Sequence, residues 1–331
     1  TAGTGKSRTV RASVQARRDA AEARAEKELR AAGEIGEKGR KQAAAVGDAS
    51  CVLAAPTGCA SFQMKFGAAT IHRIFGVPCG FCGPTQNRRS ERFMERVRRL
   101  KDAALFILVE FSMVGRQMLG KILIRAQEVF GDSGGEPFPD RDFVMAGDPK
   151  QAQPVCDEAM YKEGSYKGRA HNKPKKGSAP PGTQDIGSMT DRAMLFRDSF
   201  DDVVLLRQVH RVTYEADGMS EPEQDKYREE AEKFLDVTGR MADCTWTLQD
   251  HAFLQARNRS VLRRTHEGRE ELQKFEDAPL LVGSRKKRKD GLDGAHELNM
   301  QELRKLAAKH KVPIAGLRAY HSYAGKRGDV K

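Results

Sequence analysis

Three short apolar runs punctuate an otherwise polar chain: Cys51-Val52-Leu53-Ala54-Ala55, Leu105-Phe106-Ile107-Leu108-Val109 and Asp142-Phe143-Val144-Met145-Ala146. Each has the length of a strand, the first with the texture of a buried one, and each is closed by a polar cluster. The first ends in Pro56-Thr57-Gly58, the second in Glu110-Phe111-Ser112-Met113, the third in Gly147-Asp148-Pro149-Lys150-Gln151. Helical stretches at 90–101 and 115–130 lie between the runs, and such alternation predicts a parallel α/β sheet flanked by helices. Ligands of these sheets sit at the carboxyl ends of the strands, where all three polar clusters fall.

The flanking pattern is less regular. Residues 8–46 are rich in Ala, Arg, Glu and Lys, with strong helix propensity as far as Arg30, after which Gly33, Gly36 and Gly39 break the run. Their mixed charge reads as a solvated helical face. Residues 161–189 hold too much Gly, Pro and Lys to pack, and mark a boundary between a first domain at 1–160 and a second at 190–331. That basic loop is either a solvated linker or a contact for a polyanion's phosphates. Beyond it, 202–206 predicts a first strand of the second domain. Residues 221–241 carry a helix-period stripe of Tyr227, Ala231, Phe234, Leu235 and Thr238 that predicts core. Leu280-Leu281-Val282-Gly283-Ser284 reads as another strand, followed by Arg285-Lys286-Lys287-Arg288-Lys289. This basic run suits phosphate neutralisation, nuclear localisation or simple solvation equally.

Composition narrows the classes. The 331 residues suffice for about two domains, each with its own core. Lys and Arg number 58 against 46 Asp and Glu, and the net charge of +12 favours a polyanionic partner, or else a solvated surface. No apolar run approaches the roughly 18 residues of a membrane span, and the start lacks a charged leader followed by an apolar core, so a soluble protein is expected. Cysteines at 51, 59, 79, 82, 156 and 244 form no disulfide framework and point to a reducing compartment. Cys79-Gly80-Phe81-Cys82 has the spacing of half a zinc site or a redox pair, but nothing completes it, and plain loop cysteines account for it.

The strongest chemistry stands at the start. Thr1-Ala2-Gly3-Thr4-Gly5-Lys6-Ser7 is a phosphate-loop pattern lacking only its leading glycine, which gives the chain the look of a fragment. Glycines at 3 and 5 allow the backbone to turn its amides onto phosphate oxygens, with Thr4 between them, and the following helix start adds its positive end. Lys6 would reach the β and γ phosphates, and the Ser7 hydroxyl would ligate Mg²⁺. A Gly-rich turn before an ordinary helix is the bland alternative.

Read in order, Thr1 to Ser7, Ala55-Pro56-Thr57-Gly58-Cys59-Ala60 with Thr70-Ile71-His72, Ile107 to Met113, Gly147 to Val155, and Leu206-Arg207-Gln208-Val209-His210-Arg211 follow successive helicase motifs. The chain resembles superfamily-one DNA helicases that move 5′ to 3′, in the petite-integration-frequency (PIF) and RecD-like group. The likeness is clear over 1–215 and weaker over 278–322. It implies two RecA-like domains, the second incomplete, with ATP and Mg²⁺ as cofactors and single-stranded and forked DNA as partners. It also implies a monomer serving repair, recombination or telomere maintenance, in the nucleus or mitochondrion of a eukaryote or the cytoplasm otherwise, and not secreted. Residue by residue, Glu110 matches the carboxylate that polarises the attacking water, Gln151 the glutamine that senses the γ-phosphate, and Arg211 the arginine that reaches it from the second domain. Thr57 and His72 match positions that touch single-stranded DNA.

The chain also departs from that pattern. Val109 stands where an aspartate holds the metal's water shell, leaving Ser7 and the phosphates as anchors for Mg²⁺. Gln151-Ala152-Gln153-Pro154 replaces Gln-Leu-Pro-Pro, and Val212 replaces a glutamine. The last two motifs, the strand before the loop and an adenine-reading glutamine find no match. Two classes therefore stand: an ATP-driven helicase, and a non-hydrolysing nucleic-acid-binding remnant of one, of the kind a mobile element leaves behind.

Overall fold

The computed structural model describes residues 3–34, 36–78, 85, 87–131, 138–155, 157–161, 200, 202–210, 220–274 and 295–311. The chain divides into two compact units, Thr1–Cys244 and Thr245–Lys331. In the first, the elements run α1 (Lys6–Ala31), α2 (Glu37–Ala49), β1 (Cys51–Ala55), α3 (Gly58–Met64), β2 (Ala69–Thr70), α4 (Ile71–Phe75), α5 (Glu91–Leu100), β3 (Leu105–Val109), a 3₁₀ turn (Phe111–Met113), α6 (Arg116–Phe130), β4 (Asp142–Ala146) and α7 (Glu221–Ala242).

The three apolar runs form strands over the predicted residues, and the two intervening helices also form. The four strands make one sheet in the order β2-β1-β3-β4, every neighbouring pair parallel. Strands β1 and β3 are buried on both faces because their alternate side chains serve two cores. Val52, Ala54, Phe106 and Leu108 pack with Ile71 and Phe75 of α4 and with Leu119 and Ile122 of α6. Cys51, Leu53, Leu105, Ile107 and Val109 face the other way, onto Val10 and Val14 of α1. That division follows from the two-residue period of a strand, and it places α1, with the phosphate loop at its start, on the sheet.

Two polar clusters fix the helices on the other face. Glu128 of α6 takes the guanidinium groups of Arg96 at 2.6 Å and Arg125 at 2.8 Å, all three side chains being less than a tenth exposed. Arg96 and Arg125 also donate to the Thr85 hydroxyl. With its charge so matched, the carboxylate ties α5 to α6. At the head of α6, the Asp157 carboxylate accepts from the amides of Gln117 and Met118 at 3.1 and 3.3 Å, in place of a cap from within the helix.

Three expectations change. Gly39 does not break a helix: the break spans 32–36, and Gly39 lies in the first turn of α2, which folds back on α1 so that Arg18 pairs with Asp48 at 2.6 Å. Residues 202–206 form no strand, and Val203 and Val204 are about four-fifths exposed. In α7 the buried positions are Ala231 and Val237, whereas Tyr227 and Phe234 are exposed and Leu235 and Thr238 half-buried. The helix-period stripe is thus buried in part, at Ala231, and the other buried position, Val237, lies outside it. The strand predicted at 280–284, the basic run 285–289, the CxxC pair and the linker 162–189 lie outside the described residues.

The second unit consists, in its described residues, of helices α8 (Leu248–Ala256), α9 (Arg259–Leu262), α10 (His266–Lys274) and α11 (Ala295–His310). A Thr247–Asp250 capping box starts α8. Among the described residues no helix is long and apolar enough to cross a membrane.

Burial pushes the Asp157 carboxyl above its usual range, against the opposing pull of the amides of Glu158, Gln117 and Met118. Because the folded pKa exceeds the unfolded one, the folded state keeps a proton the unfolded chain has lost, and stability falls as pH rises through that window. Asp157→Asn removes the titration. Its melting temperature should therefore gain on the wild type as pH rises from about 4 upward, where an unperturbed carboxyl ionises; parallel pH profiles of the two proteins would refute this.

Candidate nucleotide site and nucleic-acid face

Gly3 and Gly5 adopt φ of 79° and 84°, the left-handed region that glycine enters without cost, and Gly5 forms the N-cap of α1. The Gly5 carbonyl accepts from the amides of Arg8 and Thr9 at 2.9 and 3.0 Å, so the helix starts at the loop itself. No side chain caps this end and no acid stands in its first turn, so the site has the donors and the positive end of a helix to offer an anion. Thr4 is buried and secures the loop, Lys6 is mostly buried, and Ser7 is exposed on the first turn.

Strand β3 delivers Glu110 to the same end of the sheet. Glu110 takes φ 53° and ψ 46°, a left-handed conformation that costs a non-glycine residue roughly 1–2 kcal/mol and turns the chain abruptly out of the strand. The 3₁₀ turn that follows closes on its carbonyl, with Met113 N–H donating at 3.1 Å. Next to it, β4 ends in Gly147, where an added Cβ would lie 2.7 Å from the Phe111 ring and 2.8 Å from the Phe111 amide nitrogen. Only glycine permits that approach, and it brings the Asp148–Gln151 turn against the segment bearing Glu110. Tyr161 and Gln153 both donate to the Pro149 carbonyl, at 3.0 and 3.3 Å, and fix the turn from outside.

Asp148 is the residue the sequence reading passed over. It is 3 % exposed, its Oδ1 accepts from the Lys150 amide at 3.1 Å, and its Oδ2 lies 3.9 Å from Lys6 Nζ. Burial alone would raise its pKa, but hydrogen bonds, led by that from the Lys150 amide, hold it below the ordinary carboxylate value, with the smallest pull from the Lys6 ammonium. The signal available in the sequence was an aspartate one residue past an apolar strand. Gln151 itself is exposed, its amide bonded to the Asp148 carbonyl at 3.0 Å.

The segment 202–210 also reaches the loop. The His210 amide donates to the Gly3 carbonyl at 2.8 Å, and the His210 ring lies over Gly5. Arg211, the next residue, lies outside the described residues.

Thr57 and His72 each lie two residues beyond a paired position, Ala55 of β1 opposite Thr70 of β2. Thr57 caps α3, its hydroxyl accepting from the Ala60 amide at 3.2 Å; Thr70 caps α4 in the same way. His72 Nδ1 is 2.8 Å from the Val77 carbonyl, which fixes the ring. Both residues remain half-exposed.

The donor set suits a magnesium-bound nucleotide. Among the described residues no three His, Cys, Asp or Glu side chains gather into a metal cage. Mg²⁺ needs none: it takes one or two protein oxygens and completes its shell with water and phosphate. Ser7, Glu110 and Asp148 bring oxygen-bearing side chains to the carboxyl end of the sheet.

Gly147→Ala should force apart the ends of β3 and β4, lowering stability by about 1–3 kcal/mol. Denaturant unfolding measures it; a change within ~0.5 kcal/mol would show that the close contact is not essential.

Residues 43–166 match the model of the PIF1-like helicase family. Among solved structures, the Pif1 helicase from Candida albicans matches with 18 % identity and a TM-score of 0.51, over 96 % of this chain and 50 % of that one. A Pif1 helicase from Bacteroides, solved with ADP-AlF3 and ssDNA, matches with 21 % identity and a TM-score of 0.46, over 78 % of this chain and 44 % of that one. The chain thus spans half the length of these relatives or less. No curated protein matches it. In the sequence of residues 43–166, and in the fold it shares with the Candida albicans structure, the chain is similar to the PIF1-like helicases.

Proposed function

We propose that the chain is the nucleotide-binding part of a DNA helicase that couples ATP hydrolysis to 5′-to-3′ translocation on single-stranded DNA and to duplex unwinding. The observation that carries this reading is the convergence of the phosphate loop, Glu110 and the Asp148–Gln151 turn, with Lys6 Nζ 3.9 Å from Asp148. In this reading the amides of residues 3–7 and Lys6 hold the triphosphate, and Ser7 holds Mg²⁺. The metal, when bound, neutralises phosphate charge. Glu110 orients the attacking water and accepts its proton as the oxygen adds to the γ-phosphorus and ADP leaves. Gln151 senses the γ-phosphate and Arg211 completes its binding. Thr57 and His72 contact the DNA strand, and repair, recombination or telomere maintenance is the setting.

The domains proposed are 1–160, carrying the nucleotide site, and 190–331, joined by the basic stretch 161–189. A monomer acting in a nucleus, mitochondrion or bacterial cytoplasm is the corresponding cellular form. One observation favours the non-hydrolysing alternative: Val109 is buried among apolar side chains and offers no carboxylate.

Phosphate release decides between the two. The helicase reading expects turnover stimulated by single-stranded DNA and reduced by Glu110→Gln about 10²–10⁴-fold. Nucleotide binding without any release would instead establish the remnant. Affinity for oligo-dT should fall linearly with salt on logarithmic axes, with a slope of about 0.7 per phosphate contacted, and Thr57→Ala or His72→Ala should weaken DNA but not nucleotide. A flat salt response would remove nucleic acid from the reading.

A further inference from the structure

Position 109 poses a problem of charge. The family pattern puts an acid there, whereas Val109 is 5 % exposed and packs with Val10, Val14 and Ile107 between the sheet and α1. Yet Lys6, on the first turn of α1, does face a carboxylate, and that carboxylate comes from the neighbouring strand. Val109 is paired with Ala146 in the parallel register, so Gly147-Asp148 is the stretch that runs just past it. The contact of Gly147 with Phe111 draws this stretch toward the end of β3. The Lys150 amide then fixes one oxygen of Asp148, and the other lies 3.9 Å from Lys6 Nζ.

We propose that Asp148 is the carboxylate that positions the metal's water shell in this site, replacing the acid that Val109 displaces. The assignment rests on the nucleotide reading of the phosphate loop. Three physical arguments support it. A carboxylate only 3 % exposed is costly to bury, and the groups that stabilise it include a backbone amide and the cation that serves the phosphates. A group beside the lysine that would reach the β and γ phosphates would also stand near a metal ion held on those phosphates. Finally, the two oxygens are placed: Oδ1 accepts from the Lys150 amide, and Oδ2 lies 3.9 Å from Lys6 Nζ, on the side of the phosphate loop. The expectation that Ser7 and the phosphates alone anchor Mg²⁺ is thereby revised.

The test uses Mn²⁺ as a spectroscopic substitute for Mg²⁺. Free Mn²⁺ is counted by electron paramagnetic resonance while the whole chain is saturated with a non-hydrolysable ATP analogue. Asp148→Asn keeps an oxygen for the Lys150 amide, and it should weaken Mn²⁺ binding by at least about tenfold while the analogue still binds in EDTA. Adding Val109→Asp to Asp148→Asn should recover most of that loss, whereas Val109→Asp alone should change Mn²⁺ affinity less than about threefold. Unchanged metal affinity in Asp148→Asn, with analogue bound, overturns the proposal. So does a tenfold gain from Val109→Asp alone, which would show a site lacking any carboxylate. If Asp148→Asn does not fold by circular dichroism, Asp148→Glu and the Val109→Asp single variant carry the same comparison. Failure of the wild type to bind the analogue, with or without metal, overturns the reading of the loop itself and is distinguishable from either result.

Discussion

The contact between Gly147 and Phe111 is the constraint on which the site depends. Parallel strands end independently, each handing its chain to a loop that goes its own way, and nothing in strand pairing alone brings two loops together. Here the β4 chain passes close enough to the Phe111 backbone that a methyl group would not fit. Glu110 leaves β3 in a left-handed conformation just before that contact, and the Asp148–Gln151 turn begins just after it. One missing side chain thus sets the distance between two chemical elements from separate strands. Strain at Glu110 is tolerated because the same packing holds the 3₁₀ turn beyond it.

Charge is arranged to match. The start of α1 carries the positive end of the helix dipole and Lys6 but no acid and no cap from its own side chains. The compensating negative group comes from β4, as Asp148. A carboxylate placed in the first turn itself would compete directly with phosphate for the same amides. Set across from the loop, it balances Lys6 and leaves the amides to the ligand.

What could be read from the sequence follows from which signals are local. Strands β1, β3 and β4 declared themselves because five-residue apolar runs closed by Gly, Pro or acid have few other stable uses. The phosphate loop did so because its glycines and lysine are demanded by the backbone and by the ligand together. Asp148 stayed hidden, since its role depends on Lys6, over a hundred residues away, and on the register of β4 against β3. Residues 202–206 depart from expectation for a related reason: Val203-Val204-Leu205 has strand composition, but composition alone does not make a strand. In α7, Val237 rather than Phe234 is buried, because the neighbour, not the stripe, chooses the face of a helix.

The same logic bears on how Thr57 and His72 can meet a nucleic acid. Each is first a structural residue. The Thr57 oxygen accepts the Ala60 amide, leaving its hydroxyl proton to donate outward, which suits a phosphate oxygen. The Val77 carbonyl can only accept, so the Nδ1 of His72 must carry a proton. In the neutral ring that leaves Nε2 an acceptor, a poor partner for phosphate and a suitable one for a base amino group or a hydroxyl. Only as the imidazolium does His72 donate from both nitrogens. Thr57 therefore offers a hydroxyl donor, and His72 an imidazole whose Nδ1 is committed to the Val77 carbonyl.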